Sequence, residues 1–151
     1  MLPLCGAVKI QMVEGRPLLG GVYLNGHGPY RFLIDTGTTM NHLDPGVAKA
    51  IGLKAAFRTE LVSSAGVTYA PGAGGITVTV DRVRADSQSF LFAGLDAVQQ
   101  TYPNVRGVLG EEFLTRFDFL LAVRQKQIDF KAAEPANGGT RTRFERMAGR
   151  A

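Results

Sequence analysis

The sequence predicts an all-β fold with one or two short helices, and three observations support this prediction. Apolar and polar residues alternate in residues 8–12 and 76–80, a pattern typical of half-buried strands. The 151 residues include 19 glycines and 7 prolines, which favour the many turns of a β fold over a helical bundle. Helical patterns are short, around residues 45–53 and 111–117, and residues 96–105 are expected to form a loop or a short helix.

Length and charge indicate one domain with a tail. We expect a domain over residues 1–131, since a chain of this size buries about 68–70% of its unfolded surface. Residues 132–151 are rich in Gly, Ala and Arg without hydrophobic periodicity, which predicts a flexible basic tail. Residues 131–151 carry three of the four net positive charges. The basic character is therefore weak evidence for nucleic acid, and no nucleic-acid partner is expected.

Cysteine count and hydropathy restrict the compartment only loosely. Cys5 is the only cysteine and has apolar neighbours, so we expect a packed thiol and no intrachain disulfide. No apolar run approaches the length of a membrane span. The start lacks a basic n-region. The compartment stays unknown: cytoplasmic on the sequence as it stands, and periplasmic or membrane-tethered if an N-terminal signal or anchor was trimmed.

The N-terminal elements lead to one acidic residue. Residues 8–12 predict a strand, and the runs 18–24 and 30–34 flank Asn25-Gly26, a sequence typical of a hairpin turn. The second run ends directly on Asp35. An ionised carboxylate next to a buried strand needs hydrogen bonds or a charged partner. The simplest interpretation is an Asp that ends the strand with an Asx-turn.

The next segments predict a helix and a long hairpin. Asp44-Pro45 supplies a cap and a first-turn proline, and Gly52 is a plausible end of that helix. Glycine-rich residues 71–75 separate two β-type runs, which predicts that they form the tip of a hairpin. Residues 89–95 predict another strand.

The last segment of the domain repeats this mixture of short elements. Residues 111–117 predict a short helix, because two acids stand in its first turn. Residues 119–123 and 128–130 predict the closing strands.

Several kinds of site are excluded by what the chain lacks. Two histidines and one cysteine are too few for a structural zinc site, and we expect no metal and no cofactor. The sequence contains neither G-x-S-x-G nor G-x-x-x-x-G-K-[ST], which disfavours a serine triad and a phosphate-binding loop. Asp35 is the candidate that remains.

Two motifs together resemble the retropepsin-like aspartic proteases, including single-domain bacterial members. They are L-N-G-H-G-P-Y-R-F-L-I-D-T-G-T-T at residues 24–39 and V-L-G-E-E-F-L at residues 108–114. The resemblance covers roughly residues 7–131. It implies a closed β-barrel, half of an acid-protease site, and an aspartic endopeptidase with Asp35 as its catalytic residue.

Chemistry of this kind needs two carboxylates that share one proton around a water molecule. The chain has a single D-T-G, so the resemblance implies a homodimer in which each subunit contributes Asp35. The expected substrate is an extended peptide or protein. Two alternatives stay open: an inactive protease-like dimer used for binding or scaffolding, and a basic-tailed partner of nucleic acid.

The resemblance also implies roles for neighbouring residues. Thr36 would lock the two catalytic loops together, Gly37 would give backbone freedom, and Thr38 would offer a hydroxyl to Asp35. The flap that closes over substrate would be Pro71, Gly72, Ala73, Gly74 and Gly75, and the support behind the loop would be Val108, Leu109 and Gly110.

Two positions depart from the family pattern. Asn41 replaces the usual Ser or Thr, and His42 replaces an apolar residue. His42 would either line a substrate pocket or cap the following helix. The dimer contact stays open, with the N-terminal strand and residues 127–131 as candidates by analogy.

Overall fold

A computed structural model describes residues 6–93 and 95–132, which form eleven strands and three short helices. The all-β prediction is confirmed, with three short helices where one or two were expected. The strands are β1 Gly6–Lys9, β2 Gln11–Val13, β3 Arg16–Leu24, β4 His27–Ile34, β5 Asn41–Leu43, β6 Phe57–Ser63, β7 Gly66–Val80, β8 Val83–Leu91, β9 Val105–Leu109, β10 Phe117–Ala122 and β11 Gln127–Ala132. The helices are α1 Pro45–Ala50, α2 Asp96–Thr101 and α3 Glu111–Leu114.

Six strands close into a barrel. In the larger sheet β3, β4, β9, β5, β8 and β7 are neighbours in that order, and an additional pairing of β3 with β7 completes the ring. Outside the ring, β2 pairs with β3 and β6 pairs with β7. β4 runs parallel to β9, with Leu33 opposite Val108 and Ile34 opposite Leu109. This pairing brings the strand that leads to Asp35 beside the second sequence motif.

The second sheet packs against the barrel through aromatic side chains. It has the order β1-β11-β10. Phe113 of α3, Phe117 of β10 and Phe130 of β11 are fully buried, with ring centroids 5.2–5.7 Å apart. Burial of rings of this size dominates core stability, so the short helix α3 is fixed by its side chains rather than by its length.

The predicted hairpin exists, but its tip is not the glycine cluster. The turn between β6 and β7 is at residues 64–65, and Ser63 pairs with Gly66 next to it. Residues 71–75 lie inside β7, where Gly72 pairs with both Phe57 and Leu91. A Cβ on Gly72 would stand 2.5 Å from the Phe57 ring and 2.6 Å from the Phe90 carbonyl oxygen. Glycine there serves close packing at the base of the hairpin, not a turn.

Smaller differences separate the expected strands from the observed ones. The single strand expected over residues 8–12 is divided into β1 and β2, which belong to different sheets. The strand expected at 89–95 begins earlier, as β8, and ends at Leu91. Cys5 and residues 133–151 of the predicted tail lie outside the described residues. Among the described residues, no helix is long and apolar enough to cross a membrane.

Candidate active site

β4 carries Asp35 from the core to the surface of the barrel. Phe32, Leu33 and Ile34 are buried, and the Asp35 amide still donates to the Leu109 carbonyl at 3.0 Å. The Asp35 side chain is about one third exposed, at 31%. The strand pairing therefore fixes the backbone of the acid while leaving its carboxylate accessible.

Donors from the following turn hold the carboxylate of Asp35. The Gly37 amide donates to Oδ1 at 2.8 Å, and the Thr38 hydroxyl donates to Oδ2 at 3.1 Å. Hydrogen bonds from donors of this kind fix the orientation of a carboxylate. The structure therefore brings together Asp35, Gly37 and Thr38, as the motif predicted, and Thr36 lies half-buried between them.

A cation that sequence reasoning missed also reaches Asp35. Arg16 Nη1 lies 3.4 Å from Asp35 Oδ2. Arg16 is the first residue of β3, far from Asp35 in the chain, and no local pattern marks it. Its side chain is 52% exposed, and exposed ion pairs contribute about 0–1 kcal/mol. Arg16 adds positive charge at the site without locking the carboxylate.

The second motif supports the loop after Asp35 from behind. Val108 and Leu109 are buried in β9. An added Cβ on Gly110 would stand 2.4 Å from the Thr38 carbonyl oxygen. The Glu111 and Glu112 amides donate to the carbonyls of Thr38 and Thr39 at 2.8 and 3.0 Å. Only glycine permits this approach, so the loop after Asp35 rests directly on the start of α3.

Asn41 makes a third connection to this region. Its side chain is fully buried, and Oδ1 accepts from the Gly110 amide at 3.0 Å. Its Nδ2 donates to Gln88 Oε1 at 3.0 Å and to the Ser89 carbonyl at 3.1 Å. Asn41 stands out in the sequence as a departure from the family pattern, whereas Gln88 carries no signal there, because its role depends on a strand pairing distant in sequence.

His42 neither caps the helix nor stands free. Its Nδ1 lies 3.0 Å from the Ala93 carbonyl oxygen, and because a carbonyl only accepts, Nδ1 carries the proton. The cap of α1 is Asp44, whose Oδ1 accepts from the Gly46 amide at 2.7 Å. His42 therefore ties β5 to the segment after β8.

The surroundings of Asp44 shift the pKa of its carboxyl group. Burial acts to raise its pKa, but hydrogen bonds from Gln99 and Gly46 and the charge of Arg106 outweigh burial. The pKa of Asp44 is consequently lowered from its ordinary value.

The remaining predicted residues lie elsewhere. Pro71, Gly72, Ala73, Gly74 and Gly75 are at the base of the β6–β7 hairpin, inside β7. The half of the hairpin nearest the turn exposes Val62, Val67 and Tyr69. Within the described ranges, no group of three His, Cys, Asp or Glu side chains is placed to hold a metal ion.

Comparisons with known proteins agree with this geometry. A family described as aspartyl protease matches residues 21–113, which include the first motif and all but the last residue of the second. The fold is similar to the crystal structure of a retropepsin-like aspartic protease from Rickettsia conorii, with a TM-score of 0.63 and 18% sequence identity. That similarity covers 87% of this chain and 95% of the rickettsial chain. No curated protein matches the sequence significantly.

Proposed function

The chain belongs to the aspartyl protease family, and from that premise we propose that it is an aspartic endopeptidase active as a homodimer. Family membership and the retropepsin-like fold support a protease function. The proposal adds the mechanism: one Asp35 from each subunit, a shared proton and a water molecule between the two carboxylates.

The chemistry follows from two like charges held close together. Two carboxylates about 3 Å apart cannot both ionise, so one proton is shared between them. The ionised member takes a proton from the water as it attacks the peptide carbonyl, and the protonated member donates to the carbonyl oxygen. As the C–N bond breaks, the acid that took up the water proton gives it to the amine, and the other acid recovers its proton from a hydroxyl of the tetrahedral intermediate. No metal or cofactor takes part in these steps.

The orientation of the Asp35 carboxylate is the observation that carries the proposal. Its hydrogen-bonding partners are Gly37, Thr38 and Arg16, which are donors and cannot act as the second acid. A carboxylate held by donors and partly open to solvent is suited to meet a second carboxylate. Because the chain has one D-T-G motif, that second acid is the Asp35 of another copy, related by a two-fold axis. Thr36, beside this axis, hydrogen-bonds to the partner's loop.

The β6–β7 hairpin is the element that closes over the substrate. Its exposed side chains Val62, Val67 and Tyr69 offer apolar contact to an extended peptide. Residues 71–75 act at the base of this flap and not at its tip. At this base Gly75 has φ +69°, and the pairing of β7 with β8 shifts register. Closure shields the site from bulk solvent while the reacting water stays between the two carboxylates.

The test is to measure size and cleavage on the same samples. Light scattering gives the mass of the wild type and of Asp35→Ala, and a peptide library reports cleavage, with and without a pepstatin-type inhibitor. We expect a dimer in both proteins, and inhibitable cleavage by the wild type alone. Cleavage by a strictly monomeric wild type, or by Asp35→Ala at the wild-type rate, would contradict the proposal.

A further inference from the structure

A buried pair of amides lies behind the catalytic loop. Asn41 is on β5 and Gln88 is on β8, and both side chains have an exposed fraction of 0%. Asn41 Nδ2 donates to Gln88 Oε1 at 3.0 Å. These are the two fully buried polar side chains among the described residues, so their position next to the loop calls for a physical reason.

Two backbone groups fix the orientation of the Asn41 amide. The Gly110 N–H can only donate, and it points at Oδ1. The Ser89 carbonyl can only accept, and it faces Nδ2. A rotation of the amide by 180° would set donor against donor and acceptor against acceptor. The backbone therefore allows only one of the two orientations of the Asn41 amide.

This orientation determines that of Gln88 as well. Because Asn41 presents Nδ2, Gln88 must present Oε1, and its Nε2 is left buried without a hydrogen-bond partner among the described residues. An unpaired buried amide destabilises a fold. An apolar side chain of the same length would avoid this cost but would leave one N–H of Asn41 Nδ2 unpaired instead, so the effect of Gln88 is to hold Asn41 rather than to add net hydrogen bonding. Unpaired buried groups of this kind are expected at functional sites.

A short chain of contacts leads from this pair to the reacting acid. Asn41 holds the Gly110 amide, and Gly110 packs against the Thr38 backbone. The next amide, of Glu111, donates to the Thr38 carbonyl at 2.8 Å. The Thr38 hydroxyl donates to Asp35 Oδ2. A displaced Gly110 would therefore change the direction from which Thr38 holds the carboxylate.

The same pair is anchored on its other side. Glu112 Oε2 accepts from the Ser89 amide at 2.8 Å, while Asn41 donates to the Ser89 carbonyl. The N–H and the carbonyl of Ser89 are thus both hydrogen-bonded to residues that adjoin the catalytic loop. This gives the Asn41 amide a rigid reference point on β8.

We propose that Gln88 and Asn41 are positioning residues: Gln88 orients Asn41, and Asn41 sets the place of Gly110 and hence the alignment of the Asp35 carboxylate. This inference rests on the proposed protease function for its kinetic consequence. Its geometric consequence, a fixed Gly110 amide, does not depend on catalysis.

Gln88→Met tests the inference because it keeps the length of the side chain and removes both the oxygen and the nitrogen of the amide. We expect kcat to fall about tenfold, since small misalignments of reacting groups are costly, with KM within about twofold. The melting temperature should change little, because the unpaired Nε2 disappears while one N–H of Asn41 Nδ2 loses its acceptor. Hydrogen exchange at the Gly110 amide should accelerate about tenfold, because its acceptor is no longer held.

Gln99→Met is the matched control. Gln99 Nε2 donates to Asp44 Oδ2 and to the Val105 carbonyl at 2.9 and 2.8 Å, away from the catalytic loop. It should lower the melting temperature and leave both kcat and Gly110 exchange unchanged. Unchanged Gly110 exchange in Gln88→Met overturns the inference, as does a loss of kcat that is equal in both variants.

The two proposals fail differently. If the wild type cleaves no peptide, the proposed function fails, and exchange at Gly110 alone decides the inference: faster exchange in Gln88→Met supports it and unchanged exchange overturns it. If the wild type cleaves and Gln88→Met cleaves equally well, the inference fails and the function stands.

Discussion

Asp35 and Asp44 follow consecutive strands of the chain, which lie on either side of β9 in the barrel, and make the same local turn. Each is the first residue after its strand, β4 for Asp35 and β5 for Asp44. In each, Oδ1 accepts a hydrogen bond from the backbone amide of the glycine two residues later, at 2.8 Å for Asp35 and 2.7 Å for Asp44. Locally, both are Asx-turns. The simplest interpretation of Asp35 is therefore correct as a description of its backbone.

The two acids differ in what their second oxygen contacts. Asp44 Oδ2 accepts from Gln99 of α2 at 2.9 Å and lies 3.7 Å from Arg106 of β9, so distant elements tie it to the scaffold. Asp35 Oδ2 is bound by Thr38 of its own turn and by an exposed arginine. Local sequence creates the turn in both cases, but tertiary partners decide which acid is structural and which is available for chemistry.

The largest expected difference is in activity. Asp35→Asn should lower the cleavage rate at least about a thousandfold, because an amide cannot take up the proton from water. Asp44→Asn should leave the rate within about threefold, because this acid touches only the scaffold. Steady-state cleavage of one peptide by both variants measures this. A comparable loss in both would show that the two turns are not functionally distinct.

The glycines that pack beside each turn give the next largest difference. Gly110→Ala places a Cβ 2.4 Å from the Thr38 carbonyl oxygen, whereas in Gly46→Ala the nearest atom is Asp44 Oδ1 at 3.1 Å. Overpacking against backbone costs about 1–3 kcal/mol. We expect Gly110→Ala to lose stability of that order together with activity, and Gly46→Ala to lose less of both. Urea unfolding and cleavage assays check this, and the reverse order would contradict it.

The free energy of unfolding should depend more on Asp44 than on Asp35, the reverse of the order expected for activity. Asp44→Ala removes a helix cap and should cost about 1 kcal/mol at neutral pH. The folded-state pKa of Asp44 is lowered, so its charge stabilises the fold above the ordinary value of 3.8 and that contribution is lost as the pH falls through the lowered pKa. The difference from wild type should therefore shrink at acid pH. Urea unfolding at several pH values measures it, and a difference that grows on acidification would contradict the assignment.

The smallest effect is expected for the cation beside Asp35. Arg16→Gln removes an exposed ion pair and should change the free energy of unfolding by no more than about 0.5 kcal/mol. Arg84→Gln is a matched control, since Arg84 pairs with Asp86 at 3.0 Å with similar exposure. A much larger loss for Arg16→Gln would mean that Arg16 is part of the scaffold and that Asp35 is tied as firmly as Asp44.

Features set by neighbouring residues could be predicted from the sequence. α1 begins after Asp44 with Pro45 in its first turn, and Gly52 follows its end with φ +80°. Asn25 and Gly26 form the turn between β3 and β4, both with positive φ. Each signal requires only a few adjacent residues, because capping and turn geometry are local properties of the backbone.

Features set by packing could not be read in the same way. The glycine cluster at 72–75 looked like a turn, yet Gly72 is small because Phe57 and the Phe90 backbone approach it. The residues of the candidate site also differ in whether local sequence could predict them. Asp35, Thr38 and Gly110 follow from two motifs, whereas Arg16 and Gln88 reach the loop through strand pairings distant in sequence, where period and propensity give no information.

Subunit mixing tests most directly whether two copies of Asp35 form one site. Wild-type protein is equilibrated with a ninefold excess of Asp35→Asn, and cleavage is measured per wild-type subunit. If each site needs two intact acids, random exchange leaves about one tenth of the activity, because only dimers of two wild-type subunits are active. Undiminished activity per wild-type subunit, with exchange verified by mass spectrometry, would contradict the account.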